Sequence, residues 1–259
     1  MFLAIDVGNT QSTLGLFDDE GQLAKGWRMT SNVSDTSDML HARLFSYFLK
    51  DGYELADVSA AAVASVVPAL TRAWWRCLGD LLGRSPLLVN ATHDYGMPID
   101  MPNPRTVGAD RIANAIAARN AYGSPVIVVD FGTATNIDVV DDRGAYRGGA
   151  ISPGLMLSAN ALFSKAAKLA SIPMEAPEHA LGDTTETAMQ SGLVIGAAAQ
   201  AEGLVSRMKA ELGIEQAKVI GTGGLARTVS RATDLFDAVD PTLTLRGIRE
   251  IWLQQHGGA

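Results

Sequence analysis

Apolar and polar positions divide this chain into strand-like and helix-like stretches. FLAID, residues 2–6, is an apolar run that breaks at Gly8 and Asn9 and resumes as STLGLFD, which predicts two strands joined by a turn. DDEGQ predicts the next turn. From Asp35 to Leu49, Met39, Leu40, Leu44, Phe45 and Phe48 recur near helical spacing and predict a helix. AAVASVVP predicts a strand ending at Pro68, LTRAWWRCLGDLLG an amphipathic helix stopped at Gly83, and LLVN a short strand. Residues Tyr95 to Val107, YGMPIDMPNPRTV, carry three prolines and predict an extended connection. A long helix is expected from Ala109 to Tyr122, closed by Gly123 and Pro125.

PVIVVDFGTATNIDVVDDRGAYRGG then repeats the N-terminal pattern. Setting Asp130 on Asp6 puts Gly132 on Gly8, with one residue of slippage between the copies. Each glycine turn is followed by a strand ending in an acidic hairpin, DDEG in the first copy and DDRG in the second. Two matched hairpins in one chain predict a duplication. Each half is then expected to be a mixed sheet with flanking helices, an α/β architecture with a binding cleft between the halves.

Composition narrows the partners. With 259 residues, 47% of them hydrophobic, the chain can bury a substantial core, and its 21 basic against 28 acidic residues leave a net charge of -7. That balance offers no footprint for nucleic acid and repels an anionic membrane, which leaves a small molecule as the expected partner. Cys77 is the single cysteine, without a disulfide partner or zinc-ligand companion, and reads as a buried apolar side chain. Neither a signal peptide nor an apolar stretch of membrane-spanning length is evident, so a cytoplasmic location is expected.

The turn Asp6-Val7-Gly8-Asn9-Thr10-Gln11 holds what a triphosphate site requires. Gly8 lets the backbone approach an anion, Asn9 and Thr10 can donate to phosphate oxygens, and Asp6 can hold a hydrated Mg²⁺. An ordinary hairpin with a turn asparagine fits the same fragment. No GxxxxGK[ST] string occurs, so it is not a P-loop. Its counterpart DFGTATN offers Gly132, Thr133 and Thr135 for a second clamp. VIGTGGLAR, residues 219–227, is a third glycine cluster, suited to close approach to a flat adenine or ribose or to a purely steric strand-to-helix turn. Gly108-Ala109-Asp110-Arg111 opens the long helix; Asp110 is there either a first-turn helix acid or a general base, with Arg111 to hold an anionic group. The four histidines have no ligand spacing, and Trp74 and Trp75 are expected to pack.

These motifs, in order along nearly the whole chain, resemble the type III pantothenate kinases of the actin-like and sugar-kinase superfamily. The resemblance rests on IDVGNT, SVVP, NPRTVGADR, VDFGTATN, GGAISPG, AAKL, TTETAMQSG, GTGGLA and DPTLTLRG. It implies duplicated RNase H-like, actin-like domains, 1–121 and 122–259, and ATP-dependent phosphorylation of pantothenate to 4'-phosphopantothenate, the first step of coenzyme A biosynthesis. Asp6, Val7, Gly8, Asn9, Thr10, Gln11, Ser12 and Thr13 would form the first ATP loop, and Thr133 a further ATP contact. Asp110 would be the proton acceptor, with Gly108, Ala109, Asp110 and Arg111 lining the pantothenate site. Asp130 would bind a monovalent cation, potassium or ammonium, beside the Mg-ATP held at Asp6. Thr185 would touch pantothenate from the neighbouring subunit of a homodimer. The chain departs from the family pattern at Met101, where relatives often have tyrosine, and at Gln11 and Thr184. Two other functions compete: a kinase for a sugar or other polyol, and a nucleotide-binding regulator without catalysis, since some relatives carry the name of transcriptional activators. The latter gains little here, because no helix-turn-helix signature is evident and Asp110 is intact.

Overall fold

A computed structural model describes residues 1–165 and 171–257. Two five-stranded sheets share one topology, as the internal repeat predicts. In the first, β1 (Phe2–Val7), β2 (Gln11–Phe17) and β3 (Leu23–Thr30) form an antiparallel meander, and β4 (Ala60–Ser65) and β5 (Leu87–Val89) add in parallel on the far side of β1. In the second, β6 (Val126–Phe131), β7 (Ala134–Val140) and β8 (Tyr146–Pro153) are the meander, and β9 (Lys218–Thr222) and β10 (Ala238–Val239) the parallel additions.

The helices between the strands have readable ends. In α1 (Ser37–Asp51) the Thr36 hydroxyl accepts the Met39 N–H, and Gly52 closes the helix in a left-handed conformation. Pro68 starts α2 (Pro68–Leu82), where its missing N–H costs nothing, and Gly83 ends it. Leu40, Leu44 and Phe48 of α1 and Leu70, Trp74, Cys77 and Leu78 of α2 cover one face of the first sheet through Leu3, Ile5 and Val7. Burial pushes the Cys77 thiol up to about 12, so it behaves as packing and is no nucleophile. Trp74 is fully buried as expected, whereas Trp75 remains partly exposed.

The remaining helices are α3 (Ala109–Tyr122), α4 (Leu155–Lys165), α5 (Thr185–Gln190), α6 (Gly196–Leu212), α7 (Ala226–Val229) and α8 (Leu243–His256), with a π-helical turn over Ser191–Ile195 between α5 and α6. In the second core, Ile127, Val129 and Phe131 of β6 and Ile137 and Val139 of β7 meet Ala198, Ala201 and Val205 of α6.

By contacts the chain forms two compact units, and their division differs from a single boundary at 121/122. Residues 1–96 and 103–117 are joined in the first unit by the chain from Leu243 onward, while 97–102 and 118–242 form the second. The reason is the apolar face of α8, whose buried Leu245, Ile248 and Ile251 need a sheet to cover. They find it on β1 and β4, and Gly15 of β2 leaves room for the Leu245 side chain.

Candidate active site

At the end of β1, Asp6 lies opposite Thr13 on β2 and Ala64 on β4. Two backbone bonds shape the turn that follows: Gly8 N–H donates to Gln11 O at 3.1 Å and Ser31 N–H to Thr10 O at 3.0 Å. A Cβ on Gly8 would stand 3.0 Å from Gln11 O, so the turn itself favours glycine, apart from any anion. Asn9, Thr10 and Gln11 are exposed, and Asp6, Gly8 and Thr13 are half-buried. Val7 and Ser12 point inward: Val7 belongs to the core, and the Ser12 hydroxyl is paired with that of Ser31 at 2.9 Å. Within the expected ATP loop, these two can meet a ligand only through their main chain.

The connection from β4 to α2 is tied to the same strand end, since Val66 N–H donates to Val7 O at 3.1 Å. Gly108 sits against it. A Cβ there would lie 3.6 Å from Val66 Cγ1 and would run into Asp110 Oδ1, so the absent side chain is what gives the Asp110 carboxylate its place. Ile112 N–H donates to Gly108 O at 3.1 Å, which makes Gly108 the helix cap and puts Asp110 in the first turn of α3. Asp110 Oδ1 accepts the Arg111 N–H at 2.9 Å, as a first-turn acid should. The carboxyl is also perturbed: burial pushes its pKa up, and the Arg111 N–H and guanidinium charge, which pull it down, do not cancel the effect. A half-buried acid whose pKa is raised, at the rim of a loop, is suited to accept a proton.

In the second unit Asp130 lies opposite Asn136 on β7 and Thr222 on β9. Its turn closes with Gly132 N–H donating to Ala134 O at 3.0 Å. A Cβ on Gly223, whose φ is +90°, would run into Asp130 Oδ1 and stand 2.7 Å from the Phe131 backbone, while one on Gly132 would lie 3.6 Å from the same oxygen. The carboxylate thus occupies a slot that two glycines keep open. Gly154 closes the other side of the turn: its N–H donates to Thr133 O at 3.1 Å, and a Cβ on it would stand 2.5 Å from Gly132 O. Thr133 itself is exposed, and Thr135 is buried.

A carboxylate is a hard oxygen donor that suits potassium or a hydrated magnesium ion better than zinc or copper. Among the described residues, no group of three His, Cys, Asp or Glu side chains is arranged to hold a metal. Magnesium bound through water on a single carboxylate and on substrate phosphates needs no such cage.

The third glycine cluster follows β9 and brings Gly223 against the Asp130 turn, with Leu225 N–H donating to Phe131 O at 3.3 Å. The helix expected after it is the single turn α7. Thr185 opens α5 behind a capping box, in which the Thr184 hydroxyl accepts the Thr187 N–H and the Thr187 hydroxyl accepts the Thr184 N–H. Together with Leu162, Ala188, Met189, Gly192 and Leu193 it lines an apolar cavity of about 480 Å³. Asp6, Gly108 and Asp110 therefore share the first unit, and Asp130, Thr133 and Thr185 the second. The AAKL segment, Ala166 to Leu169, lies outside the described residues. Sequence reasoning assigned no role to Gly154; the signal was a glycine directly after the strand-ending proline of SPG. No helix among the described residues is long and apolar enough to cross a membrane.

The profile of the type III pantothenate kinases matches residues 2–207. A type III pantothenate kinase of Moorella thermoacetica is 42% identical over 252 residues, which cover 97% of this chain and 98% of that protein. Among solved structures, a Baf family transcriptional activator from Campylobacter jejuni has a TM-score of 0.64 at 18% identity, over 99% of this chain and 100% of the other. Component A of the Acidaminococcus fermentans (R)-2-hydroxyglutaryl-CoA dehydratase has a TM-score of 0.58 at 15% identity, over 100% of this chain and 99% of the other. At such identities the two structures establish the fold alone, and the activator's name carries no regulatory role across. The near-full-length identity and the family profile carry more, and by them this chain belongs to the type III pantothenate kinase family.

Proposed function

We propose that the chain transfers the γ-phosphoryl group of Mg-ATP to the primary hydroxyl of pantothenate, yielding 4'-phosphopantothenate, with Asp110 as the general base. The observation that carries the role of Asp110 is its half-buried carboxylate, raised in pKa and seated beside a glycine that leaves room for it alone. One oxygen is held by the Arg111 N–H, which leaves the other to take the hydroxyl proton as the oxygen attacks phosphorus. Phosphoryl transfer asks for little further covalent chemistry from the protein, so positioning and charge supply the rest. The exposed Asn9, Thr10 and Gln11 and the main chain of Gly8 would hold phosphate oxygens, with Thr133 as a further contact. Magnesium, held through water by Asp6, would neutralise charge on the phosphates.

Asp130, in its slot between Gly132 and Gly223, would hold the potassium or ammonium ion. A second copy of the chain would place Thr185 at the pantothenate bound by its neighbour. The homodimer is supported by Met156 and Leu157 of α4, 42% and 52% exposed, on the helix whose Leu162 lines the Thr185 cavity.

Purified protein with Mg-ATP and pantothenate, assayed with and without potassium, tests the reading; absence of phosphopantothenate under every cation would sink it. Asp110→Asn should lower kcat by roughly 10²- to 10⁴-fold with ATP affinity kept. Unchanged turnover would return Asp110 to a helix acid alone. Because burial raises the Asp110 pKa, activity should fall on the acid side at a pH above the ordinary carboxylate range. Asp130→Ala should remove activation by potassium, and a variant still stimulated by it would contradict that assignment.

A further inference from the structure

The segment from Leu243 onward joins the unit that carries Asp6 and Asp110, although more than half the chain separates it from either. On one side α8 is seated firmly on the strand bearing Asp6. Leu245, Ile248 and Ile251 are buried, Phe2 of β1 packs its ring 5.1 Å from that of Trp252, and the absent side chain of Gly15 makes room for Leu245. On another side α8 meets α3, the helix bearing Asp110. A Cβ on Gly247 would run into Ala113 O and stand 2.5 Å from the Ala113 carbonyl carbon, so the two backbones touch without a side chain between them. One turn earlier on α8, Thr244 Oγ1 donates to Asn114 Oδ1 at 2.7 Å, and Asn114 is 1% exposed. Asn114 lies one helical turn beyond Asp110, on the same side of α3.

We infer that Thr244, Asn114 and Gly247 are positioning residues for Asp110, with α8 acting as the spacer that sets the Asp110 carboxylate relative to the Asp6 loop. The inference rests on the reading of Asp110 as the base. Its physical content is in the two kinds of contact. The Gly247 crossing sets how closely α3 can approach α8, because backbone atoms on both sides allow no slack. The Thr244–Asn114 bond sets rotation of α3 about its own axis, because Asn114 is buried and its amide oxygen would otherwise lose this donor in a site water barely reaches. A small rotation of α3 swings its first turn, and a general base displaced by a fraction of an ångström loses proton transfer before it loses substrate binding.

Thr244→Val removes the hydroxyl while keeping the shape, and is expected to lower kcat about tenfold with KM for ATP changed less than about twofold. Thr244→Ser, which restores the donor, should recover kcat to within about twofold. The decisive comparison uses the Asp110→Asn background, where Thr244→Val should add less than about twofold, since a residue that works through Asp110 has nothing left to position. A tenfold loss in both backgrounds would mark a general structural effect and overturn the inference, as would Thr244→Val with unchanged kcat. If Asp110→Asn retains full turnover, it is the reading of Asp110 that fails, which the single variant alone reveals. Should Thr244→Val not yield soluble protein, Thr244→Ala carries the same expectations and the same refuting outcomes.

Discussion

In the β1–β2–β3 meander the residue after Thr30, Ser31, donates its N–H to Thr10 O; in the β6–β7–β8 meander the residue after Pro153, Gly154, donates to Thr133 O. Both meanders slip register at the same place, between Leu16 and Phe17 and between Val139 and Val140. Both then close in a hairpin led by an aspartate, in which Asp18 Oδ1 accepts the Gln22 N–H at 2.7 Å and Asp141 Oδ1 the Ala145 N–H at 2.9 Å. The backbones are duplicates, and the surroundings are not. The first turn holds one residue more, Asn9, because its closing bond runs from Gly8 to Gln11 and the second runs from Gly132 to Ala134. Behind the first meander residues 32–36 lead to α1, whereas α4 begins at Leu155, directly after Gly154. Asp18 is half exposed and Asp141 is buried among arginines. The two copies share a hydrogen-bonding frame and differ in the side chains around it.

The sharpest break between the copies should appear at Gly26 and Gly149, which occupy the same place on β3 and β8. A Cβ on Gly26 would meet nothing nearer than Leu14 O at 3.7 Å, while one on Gly149 would run into Ile137 O, with the Ile137 carbonyl carbon at 2.7 Å. Leu14 and Ile137 are themselves counterparts, so one neighbour has closed in only one copy. Gly149→Ala is expected to cost about 3 kcal/mol or more, because backbone on both strands must move. Gly26→Ala should lie within about 1 kcal/mol of the parent and is as apt to stabilise, through a stiffer unfolded chain. Urea midpoints at constant m-value measure both. Equal losses would mean the two sheets are packed alike after all.

A smaller difference is expected at the hairpin aspartates. Burial alone would push the Asp141 carboxyl up, but the Ala145 N–H and the guanidinium groups of Arg143 and Arg147 more than offset it and hold the pKa below the ordinary carboxylate range. A depressed carboxylate contributes stability that is present above its unfolded pKa and is lost as pH falls through the folded one. Asp141→Asn should therefore cost about 2 kcal/mol at neutral pH, where charged hydrogen bonds are lost, and progressively less below about pH 4. Asp18→Asn, which removes one exposed acceptor, should cost about 0.5 kcal/mol. A penalty at Asp141 that does not shrink in acid would assign its role to shape and not to charge.

Much of this comparison was legible in the residues. Strand, glycine turn, strand and acidic hairpin recur in FLAIDVGNT…DDEG and VIVVDFGTAT…DDRG, and local patterns of this kind depend only on neighbours in sequence. The same holds for the existence of α1, α2 and α3: α3 has the expected ends, α2 the expected stop at Gly83 but a start at Pro68, and α1 lies two residues later at both ends than Asp35 to Leu49. What escaped was long-range. β3 and β8 alternate weakly, as LAKGWRMT and YRGGAISP, and become strands by pairing with a partner. The return of α8 to the first unit depends on a face of β1 that only the folded sheet presents. At the site, Asp6, Asp110 and Asp130 could be named from motifs, but that Gly108 makes room for Asp110, and Gly223 for Asp130, is a fact about space that no spacing in the sequence encodes.

The smallest expected effect is also the one that tests what the extra residue of the first turn is for. Asn9 is exposed and makes no side-chain hydrogen bond among the described residues, so Asn9→Ala should leave stability within about 0.5 kcal/mol of the parent. If Asn9 donates to a phosphate oxygen, the same variant should raise KM for ATP about tenfold or more, roughly the loss of one hydrogen bond to a charged acceptor, with kcat changed less than about twofold. Thr133→Ala, in the shorter turn that has no match for Asn9, should have a weaker effect on KM if the longer turn is the principal clamp. Steady-state kinetics in ATP at saturating pantothenate decides between them. A KM unmoved by Asn9→Ala and raised by Thr133→Ala would reverse the assignment and make the second turn the main phosphate contact. A KM unmoved by either would leave phosphate binding to the main chain of the two turns, in which case the duplicated backbone bonds, and not the side chains that differ, are what the two copies share in function.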